Sequence, residues 1–325
     1  MVVATAAKWG LVTIHDPFDV LFIEESWQLS WADFMLLGQV AERFVMIGDP
    51  GQIPPVVTVD VARWETSPRP PHVAAPQVIV EDARLHPEQW ELPASRRLPA
   101  DAVGLVKQFY DFDFGSWARD GERAVLSERE GKSPADRAID LLRSGSVAAL
   151  TIPTDDSGPP LEDDEELAKL ASDVVRRLIA RRAKVQIGEE RRRLEAKDIG
   201  LVATHRVMNS ALDLALPRDL RGKVLVDTPE RWQGLERPVM VVIHPLSGVV
   251  RPSAFDLETG RLCVMASRHL AGMVVLSRDH VGSTLREFIP SAEQPVGRPD
   301  VTGRGLYDNL AFWKTLEDQG RAIQG

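Results

Sequence analysis

The sequence predicts an α/β protein built on mainly parallel sheets, and three observations carry that expectation. Val20 to Ile23 (VLFI) and Phe44 to Ile47 (FVMI) are continuous apolar runs, the pattern of strands covered on both faces. Each run ends abruptly in acid-bearing polar residues: Glu24-Glu25 after the first, Gly48-Asp49-Pro50-Gly51-Gln52 after the second. Between them Trp31 to Glu42 reads as helix, so strand, helix and strand bring both polar tips to one carboxyl edge. Ligands of open α/β sheets bind at such an edge.

The chemistry of those tips is informative. Two adjacent carboxylates beside a further acid and a glutamine suit a Mg-nucleotide site better than an all-protein metal cage. The 325 residues, 44% hydrophobic and 27% charged, have the composition of a soluble globular chain with room for two domains. A single cysteine, Cys263, excludes an internal disulfide framework and reads as a small buried hydrophobe in a reducing compartment. No apolar stretch approaches the roughly 20 residues needed to span a bilayer, and the first residues lack a basic leader, so a cytoplasmic location without membrane contact is expected. A net charge of −9 argues against nucleic-acid binding by the whole surface but leaves room for a local basic groove.

Taken in order, Met1 to Gly10 begins as though inside a strand, and Asp16 to Asp19 is a turn leading into VLFI. The phosphate-binding pattern G-x-x-x-x-G-K-[ST] is absent from the sequence. Its nearest imitation, Gly131-Lys132-Ser133, has Leu126 where the first glycine belongs and Glu128 and Glu130 where phosphates would sit. It reads as a surface turn before a helix from Ala135 to Arg143.

Ile23-Glu24-Glu25-Ser26 resembles the Walker B motif of superfamily 1 helicases, with Glu24 in place of the usual aspartate. Gly48 to Pro55 (GDPGQIPP) resembles that family's G-D-x-x-Q-[LI]-x-P motif. Thr66 to Pro87, rich in proline, reads as a linker. Leu92 to Pro99 (LPASRRLP) resembles L-x-x-N-Y-R-S-P, with Arg97 at the arginine and Arg96 at the aromatic position. Val147 to Ile152 is strand-like, and the acidic stretch Asp155 to Glu166 reads as a solvated loop. Leu167 to Lys184 has helical spacing with Arg176, Arg177, Arg181 and Arg182 off the apolar stripe. A salt-bridged solvated face is preferred there over a phosphate-tracking one, because Glu189, Glu190 and Glu195 interleave with Arg191 to Arg193.

Ile199 to Val207 reads as a buried strand and resembles I-x-[VI]-x-T-P-Y-R. Val224 to Glu236 resembles V-D-T-x-x-x-x-Q-G-x-E closely, and Arg261 to Arg268 resembles R-x-x-V-A-x-[TS]-R, with His269 after it. Val239 to Ile243 and Ala271 to Ser277 are further core strands, and His244 and Trp232 read as packing residues. Gly297 to Gly305 reads as a loose linker before a terminal helix from Tyr307 to Ile323, anchored by Phe312 and Trp313.

The resemblance implies tandem RecA-like P-loop NTPase folds, the first incomplete: residues 1–75, then 76–290, then a linker and helix over 291–325. It implies ATP and Mg2+, both expected only with the missing P-loop region, in a cleft between the two domains. Glu24 is then the metal contact. Glu25 (general base), Gln52, Arg97 and Arg268 are catalytic, the arginines meeting the γ-phosphate across the cleft without mattering for folding. Asp49, Gln233, Gly234 and Glu236 bind nucleotide, while Thr204 and Thr228 face the nucleic acid. The expected partners are single-stranded DNA or RNA and a separate chain supplying the P-loop. The implied function is the C-terminal part of an ATP-dependent helicase or translocase, inactive alone. The alternative is a non-catalytic nucleic-acid-binding or regulatory module with the same fold.

Overall fold

A computed structural model describes residues 1–64, 66–127, 130–154, 161–289 and 301–325. The chain forms two compact units, Met1–Glu91 and Leu92–Gly325.

In the first unit a short helix, α1 (Ala6–Trp9), precedes β1 (Phe18–Ile23), α2 (Trp31–Leu36), β2 (Ala41–Met46) and α3 (Ala75–Glu81). The strands β1 and β2 pair in parallel, Phe18 opposite Ala41 and Ile23 opposite Met46, and form a sheet of two strands. One face, with Leu21, Ile23, Phe44 and Met46, packs on Leu37, Val40, Trp9 and Phe34. The other face is open: Phe22 is 66% exposed and Val45 39%. Burial on both faces, expected from the apolar runs, is therefore corrected: within this unit and among the described residues, helices cover one face of the two-stranded sheet and leave Phe22 and Val45 exposed on the other. The helix after β1 also stops at Leu36, and Glu42 belongs to β2. The stretch read as a linker contains α3, whose Ala75, Pro76 and Val78 are buried. It is fastened by Trp31 N–H to the Val73 carbonyl at 2.8 Å and Ala75 N–H to the Leu29 carbonyl at 2.9 Å.

The second unit runs β3 (Ala94–Ser95), α4 (Ala100–Val106), β4 (Gly115–Ser116), β5 (Arg123–Leu126), α5 (Pro134–Leu141), β6 (Val147–Ile152), α6 (Glu165–Ala180), β7 (Lys184–Ile187) and β8 (Glu190–Arg193). It continues with β9 (Ile199–Val202), α7 (Arg206–Ala215), β10 (Leu225–Asp227), α8 (Pro229–Trp232), β11 (Arg237–Ile243), α9 (Thr259–Ala266), β12 (His269–Arg278), α10 (His280–Glu287), α11 (Val301–Asp318) and β13 (Ala322–Gln324). Six strands form a parallel sheet in the order β10-β9-β11-β12-β6-β13. Here the apolar runs are buried on both faces, as their composition requires. Leu150, Leu201, Val241 and Val274 join the core with Val174 and Leu178 of α6 and Leu212 of α7. On the opposite face Trp232 lies against Gly200, where an added Cβ would come within 2.3 Å of the indole, and its Nε1–H donates to the Leu201 carbonyl at 3.2 Å. A three-stranded antiparallel ribbon, β5-β7-β8, flanks this core.

Ser133 caps α5 in a reciprocal box with Asp136, so the Gly131-Lys132-Ser133 stretch is a helix start, as expected; Glu128 lies outside the described residues. Arg176 and Arg177 of α6 pair with Asp173 on a partly exposed face, as expected, whereas Arg181, just past the helix, is buried in its pairs with Asp136 and Asp140, which corrects the expectation of a solvated face there. The strand expected to Val207 ends at Val202, with Val207 already inside α7. Of the stretch Gly297 to Gly305, the described part is helical. Gly305 is there for close approach, since a Cβ would meet the Leu257 carbonyl oxygen at 1.9 Å. The terminal helix ends at Asp318, and Ile323 belongs to β13, an edge strand beside β6. Cys263, Phe312 and Trp313 are buried.

Candidate functional site

The first unit brings its two polar tips together. Ser26 N–H donates to the Ile47 carbonyl at 2.9 Å, and Gly48 lies so close to Ser26 and Trp27 that a Cβ would reach Trp27 at 2.8 Å. Glu24 and Glu25 are exposed at the end of β1. Glu25 takes the left-handed conformation, φ 53°, which costs a side-chain-bearing residue about 1 kcal/mol and is a form of strain found at functional positions. Its carboxylate accepts from Gln28 Nε2 at 3.0 Å. Asp49 organises the second tip, accepting from Gly51 N–H at 2.9 Å and from Gln52 Nε2 at 2.8 Å, while Gln52 Oε1 is buried without a hydrogen-bond partner among the described residues. No group of three or more His, Cys, Asp or Glu is placed to hold a metal among the described residues. Mg2+ at Glu24 would thus depend on phosphate and water oxygens for most of its shell.

In the second unit, residues far apart in sequence meet at the amino-terminal ends of β11 and β12. Arg97 Nε donates to Glu236 at 2.8 Å, its Nη1 reaches the Ser267 carbonyl at 3.4 Å, and Arg237 N–H donates to the Arg268 carbonyl at 3.0 Å. The Arg97–Glu236 pair is partly exposed, so it contributes about 0–1 kcal/mol and is cheaply exchanged for a ligand. Gln233 Nε2 is buried without a hydrogen-bond partner among the described residues. Gly234, at φ +74°, has open space where a Cβ would be. The Arg97 guanidinium, held by a cheaply broken ion pair, is the group here chemically suited to an anionic oxygen.

Arg268 is placed differently. It is 1% exposed and donates to the Val264 carbonyl at 3.2 Å and Ser267 Oγ at 2.9 Å, so it is a core side chain as well as a motif residue. Sequence reasoning missed Arg123, the first residue of β5, whose guanidinium donates to the backbone carbonyls of both Arg96 and Arg97. Nothing in its local sequence distinguishes it from any basic residue before a strand.

Thr204 and Thr228 lie at the opposite, carboxyl edge of the same sheet, just beyond the paired residues Val202 and Asp227 of β9 and β10. Both are largely buried, at 6% and 9% exposure. Asn209 fixes the strand-to-helix turn there, accepting from Ala203 N–H and donating to the Ala203 and His205 carbonyls. His205 stands between Asp256 (3.4 Å) and Glu162 (3.6 Å), and these carboxylates hold its imidazolium above the ordinary histidine range despite partial burial. His244 and His269 are fully buried, and burial lowers them to about 3 and about 4, for His269 with help from the charges of Arg97 and Arg123.

A pH dependence follows. The contribution of His205 is complete below its unfolded pKa of about 6.5 and is lost as pH rises through its higher folded value. That of the two buried neutral histidines is complete above about 6.5 and is lost as pH falls toward their folded values. Melting temperature measured against pH should peak near neutrality, and His205→Gln should flatten the alkaline limb alone.

No family model and no curated protein matches the chain. Among solved structures it is similar to the arterivirus nonstructural protein 10 helicase, at 12% identity over 82% of this chain and 41% of that one, TM-score 0.39. It is also similar to the PRRSV helicase, at 13% identity over 86% and 40%, TM-score 0.41, and to arterivirus nonstructural protein 10 in complex with DNA, at 13% identity over 82% and 41%, TM-score 0.39. The chain spans about two fifths of the length of these structures.

Proposed function

We propose that the chain is the C-terminal part of an ATP-dependent superfamily 1 nucleic-acid translocase or helicase that does not turn over ATP by itself. The observation that carries this reading is the meeting of Arg97, Glu236 and the Ser267-Arg268 pair, drawn from three separate motifs. Under it, Arg97 and Arg268 serve the γ-phosphate, Gln233, Gly234 and Glu236 the rest of the nucleotide, and Glu25 with Asp49 and Gln52 the attacking water. Glu24 serves Mg2+. ATP, when bound, supplies the free energy that drives movement along a strand. Thr204 and Thr228, on the other edge of the sheet, receive the phosphates of single-stranded DNA or RNA.

The test is direct. The purified chain should bind a labelled single-stranded oligonucleotide, measured by fluorescence anisotropy, and show negligible ATPase activity. Thr204→Val and Thr228→Val should each weaken that binding by roughly 3- to 10-fold, the value of one ordinary hydrogen bond. Unchanged binding in both variants, or robust hydrolysis by the chain alone, would overturn the assignment. A second reading, a regulatory module without catalysis, is favoured by the burial of Arg268. It predicts oligonucleotide binding that nucleotide never alters.

A further inference from the structure

The turn that carries Arg97 also carries an exposed flat surface. Trp117, just beyond β4, is 69% exposed, and the guanidinium carbon of Arg96 lies over its ring, 4.9 Å from the centroid. A tryptophan with that much of its ring in water forgoes one of the largest stabilisations any side chain can obtain by burial. Both groups are nevertheless held firmly from behind. Trp117 N–H donates to the Ser95 carbonyl at 2.9 Å, and Ser116 Oγ donates to the Leu98 carbonyl at 2.8 Å. Ser95 Oγ accepts from the N–H groups of Arg97 and Leu98 at 3.3 and 3.2 Å. Arg123 grips the Arg96 and Arg97 carbonyls from the other side. The backbone of the stack is thus ordered in advance, which lowers the entropy a ligand must surrender on binding.

We propose that Trp117 and Arg96 form a platform for a nucleobase, with Arg97, the next residue, meeting a phosphate of the same ligand. The indole offers a π-face that stacks on any base. The guanidinium plane does the same while adding a cation that the base's π-system attracts. No sequence motif marks Trp117, because the pairing of β3 with β4 is what brings it beside Arg96. The platform rests on the nucleotide and nucleic-acid reading above. The shared ligand chemistry is a base attached to phosphate, carried by a free nucleotide or by a single strand.

Two matched ligand pairs separate these sources on the full chain: ATP against inorganic tripolyphosphate, and an oligothymidine against an abasic strand of equal length. Trp117→Ala should weaken the base-bearing member of one pair by roughly 5- to 150-fold, the range for one base on one aromatic, and leave its base-free counterpart unchanged. The pair that responds identifies the source. Trp117→Phe should retain most of the affinity. Arg96→Ala, a second variant from the outer layer of the stack, should lose less than Trp117→Ala with the same selectivity. Equal loss on base-bearing and base-free ligands, or no loss on either, would overturn the platform while leaving the parent reading intact. A wild-type chain that binds none of the four ligands would overturn both.

Discussion

Asp164→Ala should lower the unfolding free energy by about 3–5 kcal/mol, a larger loss of stability than any other substitution here should cause. Asp164 is 7% exposed and takes a bidentate pair of hydrogen bonds from Arg278, at 2.7 and 2.9 Å, while Arg278 is itself 8% exposed. Removing Asp164 takes away the buried partner of Arg278 and leaves its guanidinium with the exposed Glu166 carboxylate and the Pro153 carbonyl, which costs about 2–4 kcal/mol, somewhat below the range for a wholly uncompensated buried charge. The same carboxylate also caps α6, accepting from Glu166 N–H at 3.1 Å and Leu167 N–H at 3.0 Å, and loss of a cap costs about 1 kcal/mol more. Urea denaturation would measure the change. Combining Asp164→Ala with Arg278→Met should recover part of the loss, because the stranded charge goes too. A single variant within about 1 kcal/mol of wild type would mean that water reaches this pair.

Arg268→Ala should show two effects that separate cleanly. As a fully buried side chain, its truncation opens a cavity and should cost about 2–4 kcal/mol of stability. This corrects the expectation that the residue is dispensable for folding. In a longer chain that carries a phosphate loop, ATP hydrolysis should also fall by roughly three orders of magnitude if the guanidinium reaches the γ-phosphate. Arg97→Ala is the control, because its side chain is partly exposed and its ion pair contributes little to the fold. It should slow hydrolysis while leaving the melting temperature nearly unchanged. The double variant should be less impaired than the product of the two single effects, since both groups would stabilise one developing charge. Loss of stability in Arg268→Ala without any effect on turnover would make it a core residue alone.

Much of the second unit was legible because burial on two faces leaves a local signature. Val147 to Leu150, Val239 to Ile243 and Ala271 to Leu276 are apolar without interruption, and all three lie in central or near-central strands of the sheet. The same signature misled in the first unit. Phe22 and Val45 belong to runs with the composition of a doubly covered sheet, yet they stand on its exposed face, because composition records what a strand tolerates and not what lies above it. Asp164 shows the converse. Within a run of acids it has no periodicity to set it apart, and the stretch reads as solvated. Its burial is decided by Arg278, 114 positions away in sequence.

The candidate site divides in the same way. Sequence alone determined which residue types stand at the strand ends: acids after Ile23, a glycine with glutamine and glutamate after the short helix α8, and arginines at Arg97 and Arg268. These depend on strand and helix boundaries, which are set by neighbours in the chain. Tertiary structure decided which of them meet. The parallel pairing of β11 with β12 puts Arg237 opposite His269 and so draws Glu236 and Arg268 to one end of the sheet. The grip of Arg123 on the preceding turn then brings Arg97 to the same place. Burial of Arg268, pairing of Arg97 with Glu236 and the exposed stack on Trp117 all depend on contacts between residues distant in sequence, and no local pattern encodes such contacts.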